Sequence, residues 1–176
     1  MQVCKRATSV AYEAMECLGG NGYVEEGPMA RLYRQAPLNS IWEGSGNVIA
    51  LDILRALRTE PGAASALLSE LHACRGADGR LDALTDHLGA TLTAAADVTP
   101  RELEAGARLL VDRMALGLQA ATLLRHGNPA AAAAYCASRL PARDAGWSFG
   151  ATRADVADFG GSAGEATLID RLMPVA

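Results

Sequence analysis

Between Leu103 and Leu124, apolar or small residues return at alternating intervals of three and four: Leu103, Ala107, Leu110, Met114, Gly117, Ala121 and Leu124. A strand would alternate by two. This spacing keeps one face of a helix apolar for about six turns. The segment is bracketed by Thr99-Pro100 with Glu102 in the first turn, and by Gly127-Asn128-Pro129 at the far end. A capping hydroxyl, a first-turn proline and an early acid start a helix; glycine and proline stop one. An amphipathic helix of that length can be buried only against other helices or a sheet face, and the rest of the chain offers little that reads as strand.

The apolar half of the 176 residues is mostly Ala, Leu and Val, with 5% aromatics. Strong helix formers dominate, so the expected fold class is all-α, a helical bundle. Residues 2–18 read as a helix with Val3, Ala7, Val10, Ala14, Cys17 and Leu18 on one stripe, ended by Gly19-Gly20, with Gly22 extending the break. This helix starts without an evident cap, which suggests that more chain precedes it. Pro28 can open a short helix to about Gln35, and Pro37 forbids its continuation. Ser45 or Asn47 can cap a helix carrying Val48, Leu51, Ile53, Leu54 and Leu57.

The run Thr59 to Ala64 reads as a boundary, dividing the chain into segments 1–58 and 59–176. Thr59 is expected to cap a helix through about Cys74, with Ala64, Leu67, Leu68 and Leu71 inward. A further helix is expected at about 80–96. Residues 129–140 are alanine-rich and helical up to Pro141. Residues 144–164 are loop-rich around Trp147 and Phe149, which would plug a gap between helices, and a last helix is expected at 165–172.

Charge excludes an obvious nucleic-acid footprint. The net charge is −4, and ten arginines face thirteen acids in residues 61–176. DNA binding is therefore possible but not supported by charge. Cys4, Cys17, Cys74 and Cys136 form no metal-type spacing and read as small buried hydrophobes of a reducing compartment. His72, His87 and His126 are isolated, and Asp82 and Asp86 read as a solvated helix face. No metal site is expected. No apolar run approaches the length of a bilayer span and no leader is recognisable, so a cytoplasmic location is expected.

Three features in residues 13–58 call for chemistry. Gly19-Gly20-x-Gly22 follows a helix. Trp42-Glu43 sets a lone carboxylate beside an indole. Gly44-Ser45-Gly46-Asn47 leads into a helix. Each admits a plain reading: a C-cap, a solvated loop acid, a turn with an N-cap. Joined, they offer glycines that let backbone approach a phosphate or ring, a helix start that favours anions, and a partly desolvated acid suited to act as a general base.

The order and spacing of LGGNGY (18–23), R-L-Y-R-x-A (31–36) and I-W-E-G-S-G-N-V (41–48) resemble the C-terminal signature of the acyl-CoA dehydrogenase family. The form N-S-I-W-E-G-S-G-N is most similar to the AidB-type branch, linked to the alkylation response. The likeness is dense over 5–58 and thin beyond. The resemblance implies FAD, an acyl-CoA thioester substrate, loss of the α-proton to a glutamate and of the β-hydrogen as hydride to the flavin. It also implies an electron-transfer partner and a homo-oligomer, the family tetramer.

Residue by residue, the base maps onto Glu43. The neighbours close to flavin and substrate map onto Gly44, Ser45 and Asn47. Gly19, Gly20 and Gly22 map onto glycines that contact the FAD of a neighbouring subunit. Arg34 matches an arginine of an ion pair. Departures are Glu16 where many members carry Gln, Trp42 in place of Tyr, and Gln35 in place of Asp. The family's flavin-bearing portions are not in this sequence, so the chain alone is expected to be inactive. The alternatives are a DNA-associated flavoprotein and a helical oligomerisation module using the 103–124 face.

Overall fold

The computed structural model describes residues 1–42, 44–140 and, further on, 164, 166–168 and 170. Trp147, Phe149, the loop-rich 144–164 reading up to residue 163 and half of the last expected helix lie outside the described residues, as does Glu43. The described residues contain helices and no strand. They run α1 (Gln2–Cys17), α2 (Gly20–Tyr23), α3 (Met29–Gln35), α4 (Gly46–Thr59), α5 (Ala63–His72), α6 (Gly79–Ala94), α7 (Pro100–His126) and α8 (Pro129–Arg139). The all-α expectation holds.

The chain forms two compact units, Met1–Thr59 with Thr99–Asp112, and Glu60–Val98 with Arg113–Ala176. The long helix α7 thus contributes its first part to one unit and its second part to the other.

α7 begins as its sequence dictates. Thr99 and Glu102 form a reciprocal cap: the Thr99 amide and hydroxyl donate to the Glu102 carboxylate at 3.1 and 2.6 Å, and the Glu102 amide donates back to the hydroxyl at 3.4 Å. Those hydrogen bonds hold the Glu102 carboxyl below its ordinary value. Asn128 opens α8, its side-chain oxygen accepting from the amides of Ala130 and Ala131. Asp78 does the same for α6, accepting from Arg80. Thr59 does not cap the following helix. It ends α4, donating its hydroxyl to the carbonyl of Arg55, and Gly62 in the left-handed region opens α5 instead. Pro61 and Gly62 set the turn, so the threonine is one turn too early for that role.

The second unit has a well-filled core. Leu71, Leu81, Leu88, Thr85 and Cys136 are the largest fully buried side chains among the described residues, and all lie here. Burying each leucine stabilises by about 1.5–3 kcal/mol. Gly117 lets α7 approach closely, since a β-carbon there would touch Leu71 and Leu84 at 3.3–3.5 Å. The Cys74 thiol donates to the Ala121 carbonyl at 3.5 Å. The 103–124 face is therefore turned inward within the units. Ala107, Leu110, Gly117 and Ala121 are buried, so this face is not an open oligomerisation surface.

The first unit is built differently. Its core cluster is Ala50, Ala107 and Val111, with Met1, Ile53 and Leu54 packed around it. α1 packs on α3 and on the 3-10 segment Ala36–Ser40, with the Tyr12 and Tyr33 rings 6.3 Å apart. The stripe expected to face inward on α1 faces out instead: Val3, Val10 and Leu18 are 68%, 49% and 54% exposed. Gln2, off that stripe, is the buried residue of α1, while Val3 and Ala7 of the stripe border a cavity shared with residues 39–49. Pro37 does not end helical structure at once, because the 3-10 segment continues directly from α3. A proline early in a new helical turn needs no amide partner, which is why it fits there.

Candidate functional site

The 3-10 segment and the start of α4 carry one candidate cluster. After Trp42 the chain reaches Gly44 at φ +114°, a conformation that glycine adopts without strain. Ser45 follows, and its carbonyl accepts from the amide of Ile49 at 3.0 Å, opening α4. Ser45 and Asn47 are exposed, Gly44 is half-buried and Gly46 is buried. Gly46 is covered by Lys5, whose Cε would lie 2.7 Å from a β-carbon built there.

Gly44 and Gly46, though not Ser45 or Asn47, border a cavity of about 350 Å³ lined also by Met1, Cys4, Ala7, Asn39, Trp42 and Ile49. No spacing or motif signals that the start of α1 forms this wall. Only tertiary packing brings residues 1–7 beside residues 39–49.

The glycine cluster sits at the other end of α1. Twelve residues separate Ala7 from Gly19, roughly 18 Å at 1.5 Å per helical residue. The structure thus sets the Gly19–Gly22 group and the Gly44–Asn47 group at opposite ends of one helix rather than in one cleft. Gly19 and Gly22 are required for different reasons. Gly19 adopts φ +57° and ψ −143°, which is nearly restricted to glycine. Gly22 lies inside α2, where a β-carbon would fall 2.1 Å from the Met15 carbonyl oxygen. Gly20 has neither constraint: no atom lies within 4 Å of a β-carbon built on it, and it is exposed. The break expected at Gly22 is instead a single helical turn.

Arg34 forms a two-pronged ion pair with Glu25, one bond at 2.8 Å, on the surface between the α2–α3 turn and α3. The pair lowers the Glu25 carboxyl and raises the Arg34 guanidinium. Asp112, on the first unit's part of α7, is shifted the other way. Partial burial raises its carboxyl above the ordinary value, and the charges of Arg6 and Arg108 offset this in part.

Among the described residues no group of three metal-type side chains converges, and no helix is long and apolar enough to cross a membrane. Of the four cysteines, Cys74 and Cys136 are buried as expected, whereas Cys17 is exposed and Cys4 is half-exposed beside the cavity. Asp82 and Asp86 are exposed but engaged: Asp86 pairs with Arg75 at 2.7 Å, and Asp82 accepts from the Gly76 amide at 3.2 Å. His87 contacts Arg113.

Comparison with known proteins decides the family. Residues 1–58 match the family pattern described as "Acyl-CoA dehydrogenase, C-terminal domain". The acyl-CoA dehydrogenase-type protein AidB of Escherichia coli K12 is 38% identical over 141 residues, 80% of this chain and 25% of that protein.

Residues 1–58 carry the C-terminal domain of the acyl-CoA dehydrogenase family.

Acyl-CoA dehydrogenase family member 11 of Caenorhabditis elegans is 45% identical over 51 residues, 29% of this chain and 8% of its own length. The mitochondrial isovaleryl-CoA dehydrogenase of rice is 46% identical over 56 residues, 32% of this chain and 14% of its own length. The chain spans a quarter or less of these relatives. The AidB match continues well past residue 58, where the other two similarities are confined to about a third of the chain.

Proposed function

We propose that this chain supplies the C-terminal part of an FAD-dependent acyl-CoA dehydrogenase-type oxidoreductase, with Glu43 as the base that takes the α-proton of an acyl-CoA thioester. The observation that carries the reading is the coincidence of the family match over 1–58 with a glycine-hinged turn directly after Glu43, beside a cavity.

FAD, when bound, accepts the β-hydrogen as hydride. This chain's residues do the rest of what is assigned to them. Gly44, by its positive φ, lets the backbone turn sharply behind the acid. Ser45 and Asn47 present hydroxyl and amide groups at the start of α4, where backbone donors favour negative charge. Trp42 lines the cavity and directly precedes the acid in sequence.

The glycine group fits a flavin pyrophosphate in one respect. Gly20 offers exposed backbone with nothing crowding it. Because that group lies at the far end of α1 from Gly44–Asn47, we assign it to the flavin of a neighbouring subunit, which requires a homo-oligomer. Electrons then leave to an electron-transfer partner. The isolated chain holds FAD weakly and does not turn over, since most of the length of its relatives is absent from it. We place it in the cytoplasm.

The DNA-associated reading is less favoured. Arg75, Arg80 and Arg125 are paired with Asp86, Asp78 and Glu70, so their charge is already answered.

The test is solvent exchange of the α-proton of an acyl-CoA in deuterated buffer. It uses a chimera in which this chain replaces the matching segment of the E. coli relative. Exchange that is lost in Glu43→Gln while FAD is retained supports the assignment. Undiminished exchange in that variant refutes it.

A further inference from the structure

Lys5 is the single lysine of the chain, and it lies where a cation is poorly placed. Its Cε lies 2.7 Å, and its Nζ 3.6 Å, from where a β-carbon on Gly46 would be, and Gly46 is the first residue of α4. The N-terminal end of a helix carries partial positive charge from its free amides and disfavours a further cation. α4 runs for 14 residues with no acid in its first turn, so its own residues there do not offset the ammonium. Lys5 is exposed, and its ammonium has no hydrogen bond or ion pair among the described residues. Arg34, Arg55 and Arg75, by contrast, each hold a carboxylate.

Two positive groups brought together call for an anion. No carboxylate borders the adjoining cavity among the described residues. Asp52, further along α4, is already paired with Arg55 at 2.8 Å. Arg6, next to Lys5, acts on Asp112. The acid nearest to Gly46 in sequence is Glu43, three residues before it, a span that the chain cannot stretch beyond about 11 Å. The titratable groups on the cavity wall are the Cys4 thiol and the α-amino group of Met1, both from α1 and its start; the 3-10 segment and α4 add none among the described residues. In the chimera described above the Met1 nitrogen is part of a peptide bond.

We infer that Lys5 is a positioning residue for the proposed base: its ammonium pairs with the Glu43 carboxylate over the start of α4 and holds that acid ionised beside the cavity. Glycine at position 46 is what lets the lysine lie there, since a β-carbon would displace its Cε. The inference deepens the proposed function and rests on it for the chemistry of Glu43, though the ion pair forms whether or not Glu43 is a base.

The free chain tests the pair, and the chimera tests its effect. Because there is one lysine, its Cε–H resonance is unambiguous in a carbon–proton NMR spectrum. Titrated from neutral to acid pH, that resonance is expected to pass through one inflection in the carboxylate range, and the inflection is expected to disappear in Glu43→Gln. A flat titration, or an inflection that persists in Glu43→Gln, overturns the inference.

In the chimera, α-proton exchange needs the acid ionised, and a nearby cation favours that form. Lys5→Met should therefore move the acid limb of the exchange rate to higher pH by about one unit, and Lys5→Arg should restore it. Gly46→Ala, which displaces the lysine without removing it, should shift the limb the same way, and the double variant should go no further than Lys5→Met. An unmoved limb in Lys5→Met, or shifts that add in the double variant, overturns the inference. An unmoved limb with a higher acyl-CoA concentration for half-maximal exchange would assign the ammonium to a ligand anion instead. Undiminished exchange in Glu43→Gln, alongside the inflection in the Lys5 resonance, would sink the proposed chemistry and leave the ion pair standing.

Discussion

The three glycines of the Gly19-Gly20-Asn21-Gly22 run should respond to alanine in three different ways. At Gly22 a methyl group would sit 2.1 Å from the Met15 carbonyl oxygen, 2.9 Å from its carbon and 3.1 Å from the Leu18 β-carbon. Backbone cannot yield as a side-chain tip can. The last turn of α1 or all of α2 must shift by an ångström or more, an overpacking cost of about 1–3 kcal/mol. At Gly19 the methyl meets nothing, but φ +57° with ψ −143° costs a non-glycine residue about 1–3 kcal/mol. At Gly20 neither penalty applies, and alanine in a helical turn should be neutral or stabilise by up to about 1 kcal/mol. Urea denaturation followed by circular dichroism on the three variants measures this. A Gly20→Ala loss equal to that of Gly22→Ala would refute the geometric reasoning. If the proposed role of Gly20 is correct, the same harmless substitution should weaken FAD retention in the chimera described above.

Other consequences can be checked on the chain alone. Leu88→Ala, at a fully buried position, should cost about 2–5 kcal/mol, whereas Leu18→Ala, more than half exposed, should cost under about 0.5 kcal/mol; chemical denaturation separates them. Asp112→Asn should stabilise the fold at neutral pH. Partial burial raises this carboxyl in the folded state, so its charge costs stability once the pH climbs above its unfolded value, and the gain should vanish in acid, where aspartate is protonated in both states. The opposite sign holds for Glu102, which is lowered by its cap hydrogen bonds. Its contribution is present above the unfolded value and is lost as pH falls through the folded one, so Glu102→Gln should flatten the acid limb of a pH–stability profile. Among the thiols, Cys17 should be alkylated readily in the folded chain. Cys136, buried and raised to about 11 chiefly by desolvation, should react only on unfolding, which mass spectrometry reads directly.

The helices that depend on local signals were legible from residues alone. Thr99-Pro100-x-Glu102 and Asn128-Pro129 carry their caps within three residues, and the alternating threes and fours from Leu103 put Ala107, Leu110, Gly117 and Ala121 inside. Periodicity misled at α1. It located an apolar stripe correctly but could not tell a covered face from an uncovered one, because that depends on what else is present to pack against it. It also missed Gly62 as the start of α5, since a left-handed glycine at that position is a feature of the turn and not of the helical pattern.

The site was legible only as separate motifs. That Gly19–Gly22 and Gly44–Asn47 occupy opposite ends of α1, and that Lys5 and Met1 crowd Gly46, arise from long-range packing that no spacing encodes.

The central claim, that the carboxylate of residue 43 starts acyl-CoA oxidation at a flavin, is tested most directly by anaerobic titration of the FAD-loaded chimera with an acyl-CoA. The account predicts loss of the oxidised flavin absorbance with Glu43 in place and an unchanged spectrum in Glu43→Gln, with both proteins holding the same amount of FAD. Equal bleaching in the two would contradict it.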